Sequence, residues 1–277
     1  VFALQFFAKV KSINTGNLYF TPTFEEGQDE EGRSFKQLTM SLQPDEHTSL
    51  AYVYRLYDGD YMLDFDLQTR GFDVFGIDQM NFDLEFYAPS QEKGYSNEAM
   101  YTTLYYKFHG GDVESFKTRS KKEVESADET TRIKWIAYSH QFFSTILIAD
   151  EAFSGANMSQ HRFNDPGKYV RFYSSSIGIP LERSPEQTFG MRLYLGPNRF
   201  TSLKSYEGLG LENVVTVGGS MIRWINAYVV IPIFNWLNAG PGGFRSRAPI
   251  AGESRWDWQT AQTVYSFTGS SCRNDMC

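Results

Sequence analysis

Residues 49–68, SLAYVYRLYDGDYMLDFDLQ, constrain the fold more than any other stretch of the chain. Leu63, Phe65 and Leu67 alternate with Asp64 and Asp66, the period-2 pattern of a strand with one face buried. Two runs rich in tyrosine, valine and phenylalanine flank Asp58-Gly59. That dipeptide tolerates positive φ, so it predicts a β-hairpin with a two-residue turn. YTTLYYKFHGGDVESFK (101–117) repeats the device with Gly110-Gly111 at the turn. Further strands are expected at 35–42, 82–88, 134–149, 170–179 and 189–195. Closely spaced strands without a fixed-period repeat predict a large antiparallel two-sheet sandwich over 1–215, not a propeller or solenoid. The acidic, apolar-poor stretches EEGQDEEGRS (25–34) and SKKEVESADETTR (120–132) read as solvated loops, the second alternatively as a short helix. RFTSLKSYEGLGLENVV (199–215) reads as a short helix followed by a glycine-broken connection.

Composition then removes several function classes. A net charge of -7 argues against a nucleic-acid partner, which requires a basic face to displace counterions. Cys272 and Cys277 both fall in the last six residues, so neither a disulfide scaffold nor a cysteine-based zinc site is expected in the body. His47, His109, His140 and His161 have no metal-ligand spacing, and no HExxH, P-loop or G-x-S-x-G occurs. His140 lies in the apolar strand pair WIAYSHQFFSTILI and reads as a packed or edge histidine. Asp64 and Asp66 share a strand face, a spacing that could hold two carboxylates for acid–base work; a solvated sheet face accounts for them more simply. No catalytic, cofactor-binding or metal-binding residue is assigned, and no cofactor is implied. Aromatic residues make up 16% of the chain, and rings stack on sugars. A stand-alone carbohydrate-binding or mutarotase-like module is therefore the alternative reading.

After the strand-rich body comes GGSMIRWINAYVVIPIFNWLN, within 216–238. At 100° per residue, Met221, Ile222, Ile225, Val229, Ile233 and Trp236 fall in one sector, with Arg223, Asn226 and Asn238 opposite. The stretch is too short to span a bilayer and contains Pro232. Trp224, Tyr228 and Trp236 are residue types that settle at headgroup depth. The pattern fits an amphipathic helix lying in a membrane interface through Met221, Trp224, Ile225, Tyr228, Val229 and Trp236, with Arg223 meeting an anionic headgroup. A helix covering the sandwich would show the same pattern. Residues 239–277 differ again: they hold four arginines and no lysine, whereas 1–238 holds eleven of each. This Gly/Ser/Arg-rich tail reads as disordered or as out-of-frame translation.

Three segments taken in order resemble one family. KWIAYSHQFFSTILIADEAFSGA (134–156), MRLYLGPNRFTSLKSYEGLGLENVV (191–215) and GGSMIRWINAYVVIPIFNWLN (218–238) are similar to the YidC-type membrane protein insertases of Bacteroides-like bacteria. The resemblance covers roughly 1–238. It implies a periplasmic β-supersandwich of the galactose-mutarotase type, then an interfacial helix matching 219–238, then five transmembrane helices that form a polar groove. It also implies the periplasmic face of a bacterial inner membrane, with that lipid surface, nascent membrane proteins and the Sec translocase as partners of the full-length parent. The chain departs from the family at Thr216-Val217-Gly218-Gly219, where members carry a tryptophan. The expectation is a truncated piece, lacking the anchor helix before Val1 and the groove helices after Asn238. No groove residue is carried over, and Arg223 is not equated with the groove arginine.

Overall fold

The computed structural model describes residues 2–8, 11–77, 79–117, 122–163, 167–182, 184–215 and 233. The chain divides into two compact units, Val1–Val214 and Val215–Cys277, and the described residues lie almost wholly in the first. Its strands are β1 (Phe2–Ala8), β2 (Lys11–Asn14), β3 (Thr21–Gln28), β4 (Ser34–Leu42) and β5 (Ser49–Tyr57). They continue with β6 (Met62–Arg70), β7 (Gln79–Pro89), β8 (Thr103–Phe108), β9 (Val113–Ser115) and β10 (Val124–Glu129). The last are β11 (Ile133–Ser139), β12 (Phe143–Phe153), β13 (Gly155–Arg162), β14 (Tyr169–Pro180) and β15 (Glu186–Pro197). Two short α-helices interrupt them, α1 (Tyr95–Tyr101) and α2 (Phe200–Lys204).

The strands form two antiparallel sheets, one of order β10-β13-β14-β7-β1-β2 and one of order β3-β4-β5-β6-β15-β12-β11-β8-β9. This is the expected all-β two-sheet supersandwich. Alternation sets its layers. Phe65 and Leu67 of β6, Met80 and Phe82 of β7, Leu147 of β12 and Tyr173 and Ile177 of β14 all turn into one buried core. Rings bridge the sheets there: Phe65 to Phe82 at 5.9 Å and Tyr138 to Tyr173 at 5.5 Å. Each such side chain contributes about 1.5–3 kcal/mol by burial. A one-residue slip would turn the whole row to the other face, so the pattern also fixes the register.

Both expected turns are present, but their loops are longer than two residues. Asp60 N donates to Tyr57 O at 3.3 Å, which places Gly59, with φ +78°, at the position of a type II turn that favours glycine. The Asp60 carboxylate then accepts from Met62 N at 2.9 Å and from the Tyr206 hydroxyl at 2.6 Å, which fixes the end of the loop. Gly110, φ +76°, occupies the same position in the second turn, where Gly111 N donates to Phe108 O at 3.1 Å. His109 leaves the ladder to donate to Arg132 O at 2.8 Å.

The two acidic stretches are loops only in part: 29–33 forms the β3–β4 turn, but the rest is largely strand. Glu25–Gln28 continues β3, and 124–129 is β10. Each is the outermost strand of its sheet, where charge prevents edge-to-edge pairing. The short helix and glycine-broken connection at 199–215 are as expected, with positive φ at Gly208 and Gly210. α1 was not anticipated.

Candidate functional site

The expected interface residues Met221, Arg223, Trp224, Ile225, Tyr228, Val229 and Trp236 lie outside the described residues, as does 239–277. Of the apolar stretch only Ile233 is described. Among the described residues no helix is long and apolar enough to cross a membrane. What the structure does describe is how the chain approaches that stretch.

Trp135, Ala137, Ile146 and Ile148 are fully buried, yet they point away from the inter-sheet core. They lie on the outer face of the nine-stranded sheet, and the segment 199–214 covers them with Leu203, Leu209, Leu211 and Val214, themselves at most 6% exposed. Polar groups fasten this cover. Asn198 N donates to Phe142 O at 2.7 Å, and Asn198 Nδ2 donates to His140 O at 2.6 Å. Ser144 Oγ donates to Asn198 Oδ1 at 2.6 Å. Tyr194 donates to Pro197 O at 2.7 Å, closing the turn after β15. Farther along, Leu209 O accepts from Trp135 Nε1 at 2.9 Å and from Lys107 Nζ at 3.1 Å. Tyr206 stacks edge-on against Tyr194 at 5.6 Å while donating to Asp60; burial first, and the Asp60 carboxylate next, push its phenol well above the ordinary range. The motif residues of YLGPN, LKSY and LGLEN thus act as fasteners of one covering segment.

The other half of the same outer face is polar. Gln37, Arg55, Asp64 and Arg192 stand in one row across β4, β5, β6 and β15. Arg55 donates to Gln37 Oε1 at 3.0 and 2.7 Å, and Arg192 Nε meets Asp150 Oδ1 at 3.0 Å. Burial raises the pKa of Asp64 and Asp66; neighbouring carboxylates add to it, chiefly Asp150 for Asp64 and Asp64 for Asp66, while arginines pull back. The structure therefore brings together the acidic pair read from the sequence and adds Asp150. A cavity of about 310 Å³ lies at the far end of β5, β6 and β15, lined by Ser49, Gln68, Arg70, Glu186 and Thr188 among others. Among the described residues no three His, Cys, Asp or Glu side chains are grouped to hold a metal ion.

The four histidines lie on separate elements. His140 does have a partner that its local sequence did not indicate: its Nε2 is 3.0 Å from Glu98 Oε1 and 3.1 Å from Pro89 O. Both neighbours are acceptors, so Nε2 carries the proton. Glu98 of α1 is fully buried and also accepts from Ser90 Oγ (2.9 Å) and Gln91 N (2.8 Å). At the other end of α1, buried Arg171 donates to Thr102 O at 2.9 Å and to Ala99 O at 3.2 Å; burial lowers its pKa. α1 is therefore fastened through Glu98 at its middle to His140 of the β11–β12 turn and through Ala99 and Thr102 to Arg171 of β14. Forty-two positions separate Glu98 from His140, and no local pattern links them.

The chain matches the family model described as the YidC periplasmic domain over residues 2–231. It is 32% identical over 235 residues to the membrane protein insertase YidC of Parabacteroides distasonis, covering 81% of this chain and 35% of that protein. It is 30% identical over 243 residues to the membrane protein insertase YidC of Phocaeicola vulgatus, covering 84% and 37%. The chain thus spans about a third of the length of these relatives. Among solved structures, the GH36 α-galactosidase AgaB of Geobacillus stearothermophilus aligns with a TM-score of 0.41 and 9% identity, covering 74% of this chain and 31% of that one. The match to the family model runs through the sandwich, the covering segment and most of the apolar stretch, and on it the chain belongs to the YidC periplasmic-domain family.

Proposed function

We propose that this chain is the extracytoplasmic part of a membrane protein insertase. It would stand at the periplasmic face of a bacterial inner membrane and help nascent membrane proteins to insert and fold. The observation that carries this reading is the continuity of the family match from β1 to residue 231, together with about 30% identity to proteins named as insertases. The division of labour follows from solvation. Moving loops and charges across lipid requires a polar surface within the bilayer, which only helices or closed barrels can carry. The sandwich supplies a platform instead. Residues 216–238 act as an interfacial helix, with Met221, Trp224, Ile225, Tyr228, Val229 and Trp236 in the headgroup layer and Arg223 on an anionic headgroup. The covering segment 199–214 sets where the chain leaves the platform. Contact with the Sec translocase would belong to the full-length parent. The domain performs no covalent chemistry, and the purified chain is not expected to accelerate aldose anomerisation.

Exchange of segments tests this reading. Residues 1–238 replace the matching segment of the Parabacteroides distasonis insertase, and the chimera is expressed in cells depleted of their own insertase. Growth is expected to recover. A chimera that is stable and membrane-integrated but does not restore growth would overturn the reading. The interfacial part has a separate test: Trp224→Ser with Trp236→Ser should weaken partitioning of the chain to anionic liposomes, and unchanged partitioning removes that role.

A further inference from the structure

Phe142 and Phe143, at the tip of the β11–β12 turn, are 52% and 63% exposed, so neither anchors the turn by burial. A backbone bond from His140 N to Phe143 O, at 2.8 Å, closes it. Its position is set by bonds to other elements, and these reach it from two sides. On one side stands Asn198, at the root of the covering segment. Asn198 N donates to Phe142 O at 2.7 Å, and its Nδ2 donates to His140 O at 2.6 Å and to Ser139 Oγ at 3.3 Å. On the other side stands Glu98 of α1, whose Oε1 lies 3.0 Å from His140 Nε2. His140 thus holds the covering segment with its carbonyl and α1 with its ring.

Neither partner is ordered by its own helix. α1 has seven residues and α2, inside the covering segment, has five. An isolated helix shorter than about 12–15 residues is marginal in water, so each keeps its place through tertiary bonds. For α1 these include the bonds of the Glu98 carboxylate to His140, Ser90 and Gln91, and that of the Tyr95 hydroxyl to Phe163 O. Arg171 adds its bonds to Ala99 O and Thr102 O. Glu98 is fully buried, and among the described residues the only basic side chain bonded to it is His140. Loss of that donor would leave a buried carboxylate short of a partner, so α1 and the turn hold each other in place. Short segments held in this way open locally, at free energies well below that of global unfolding.

We propose that His140 couples α1 to the covering segment: loosening α1 loosens the root of the segment that leads to residue 215, and releasing that root loosens α1. The device has two sites, each with a fastened and a released state, and a coupling between them acts with equal strength in both directions. A partner that engages α1 would thereby change how firmly the chain is held where it leaves the sandwich, and a pull at residue 215 would be felt at α1. Every bond that carries the coupling lies within residues 89–198, so it stands apart from the membrane role of 216–238.

Amide hydrogen exchange of the full chain tests the coupling through variants at its two ends. Glu98→Gln should speed exchange over 95–101 by about tenfold or more, the effect of weakening hydrogen bonds to a charged group. The same variant should speed exchange over 199–205 by about fivefold or more, the lower end of a typical coupling. Asn198→Ala should speed exchange over 199–205 directly, and over 95–101 by the factor that Glu98→Gln imposes on 199–205. With His140→Ala already in place, adding Glu98→Gln should leave 199–205 at the rate that His140→Ala gives it. Exchange over 62–70 in β6 should stay at the parent rate throughout, because amides of core strands report global unfolding. Where Glu98→Gln also speeds β6, Tyr95→Phe, which deletes the hydroxyl bond to Phe163 O, takes its place in the same comparison. Two results overturn the proposal. One is exchange over 199–205 at the parent rate in the variant that frees 95–101. The other is a Glu98→Gln effect on 199–205 that is as large with His140→Ala as without it, which routes the effect around His140.

Discussion

The nine-stranded sheet has one outer face with two characters. Over β15, β12 and β11 it carries Tyr194, Ile148, Trp135 and Ala137 under the covering segment, and every one of them is fully buried. Over β4, β5 and β6 it carries Gln37, Arg55, Asp64 and Asp66, all part-exposed, with Arg55 donating to Gln37. The strand geometry is the same on both sides; only the presence of the cover differs. A strand buried on both faces reads as a continuous apolar run, as in TILIA, whereas one with a solvated face alternates, as in LDFDL. The difference shows that the covering segment is part of the fold, because without it a stripe of tryptophan, isoleucine and tyrosine would face water.

Substitutions on the two halves should therefore behave differently. The largest effect is expected at Trp135→Ala, which removes a fully buried indole and one of the two side-chain donors to Leu209 O. It should cost about 3–5 kcal/mol in urea unfolding, and a loss similar to that of a surface substitution would mean the cover is dispensable. Tyr206→Phe keeps the ring against Tyr194 and deletes the hydrogen bond to Asp60. About 1 kcal/mol is expected by the same measurement, with limited proteolysis after Lys204 rising in parallel. The smallest effect belongs to the polar half. The folded-state pKa of Asp66 is raised above its ordinary 3.8, so the folded protein holds this proton more tightly than the unfolded chain does. Its contribution to stability is greatest below 3.8 and declines as pH rises through the folded value. Asp66→Asn should accordingly stabilise the protein at neutral pH, by less than about 1 kcal/mol because the group is half solvated, and make no difference well below pH 3.8. Destabilisation at neutral pH would show that the carboxylate holds a bond the row requires.

What the sequence disclosed follows the same physics. Strands with one wet face declared themselves by alternation, and Gly59 and Gly110 of the two hairpins take the positive φ that their dipeptides signalled. β3 and β10 did not. Their glutamates and aspartates carry the signature of loops, because an outermost strand must repel other strands while still pairing on one side. α1 was hidden by its length, seven residues with only Glu98 and Ala99 buried. The family blocks could be recognised as a pattern, but what they do could not: Asn198 and Leu209 work through His140, Ser144, Trp135 and Lys107, residues brought near only by the sheet. The expected interface residues 221–236 lie outside the described residues, so the reading of that helix still rests on its pattern and its family.

The fasteners of the covering segment also define a mechanical order. Asn198, Tyr206 and Leu209 are attached one after another along the chain, so tension applied at residue 215 loads Leu209 first and Asn198 last. The segment would peel bond by bond, while the ladders of β12 and β15 share their load among many bonds. Releasing 199–214 would free about 55 Å of contour at 3.3–3.6 Å per residue, less the distance the folded segment already spans, before the sandwich gives way. A domain tethered at this point could therefore take up a pull as slack and keep its sheets intact. In an optical trap, pulling between residues 2 and 215 should show that extension as an early, reversible step, and its absence would mean the segment and the sheets yield together.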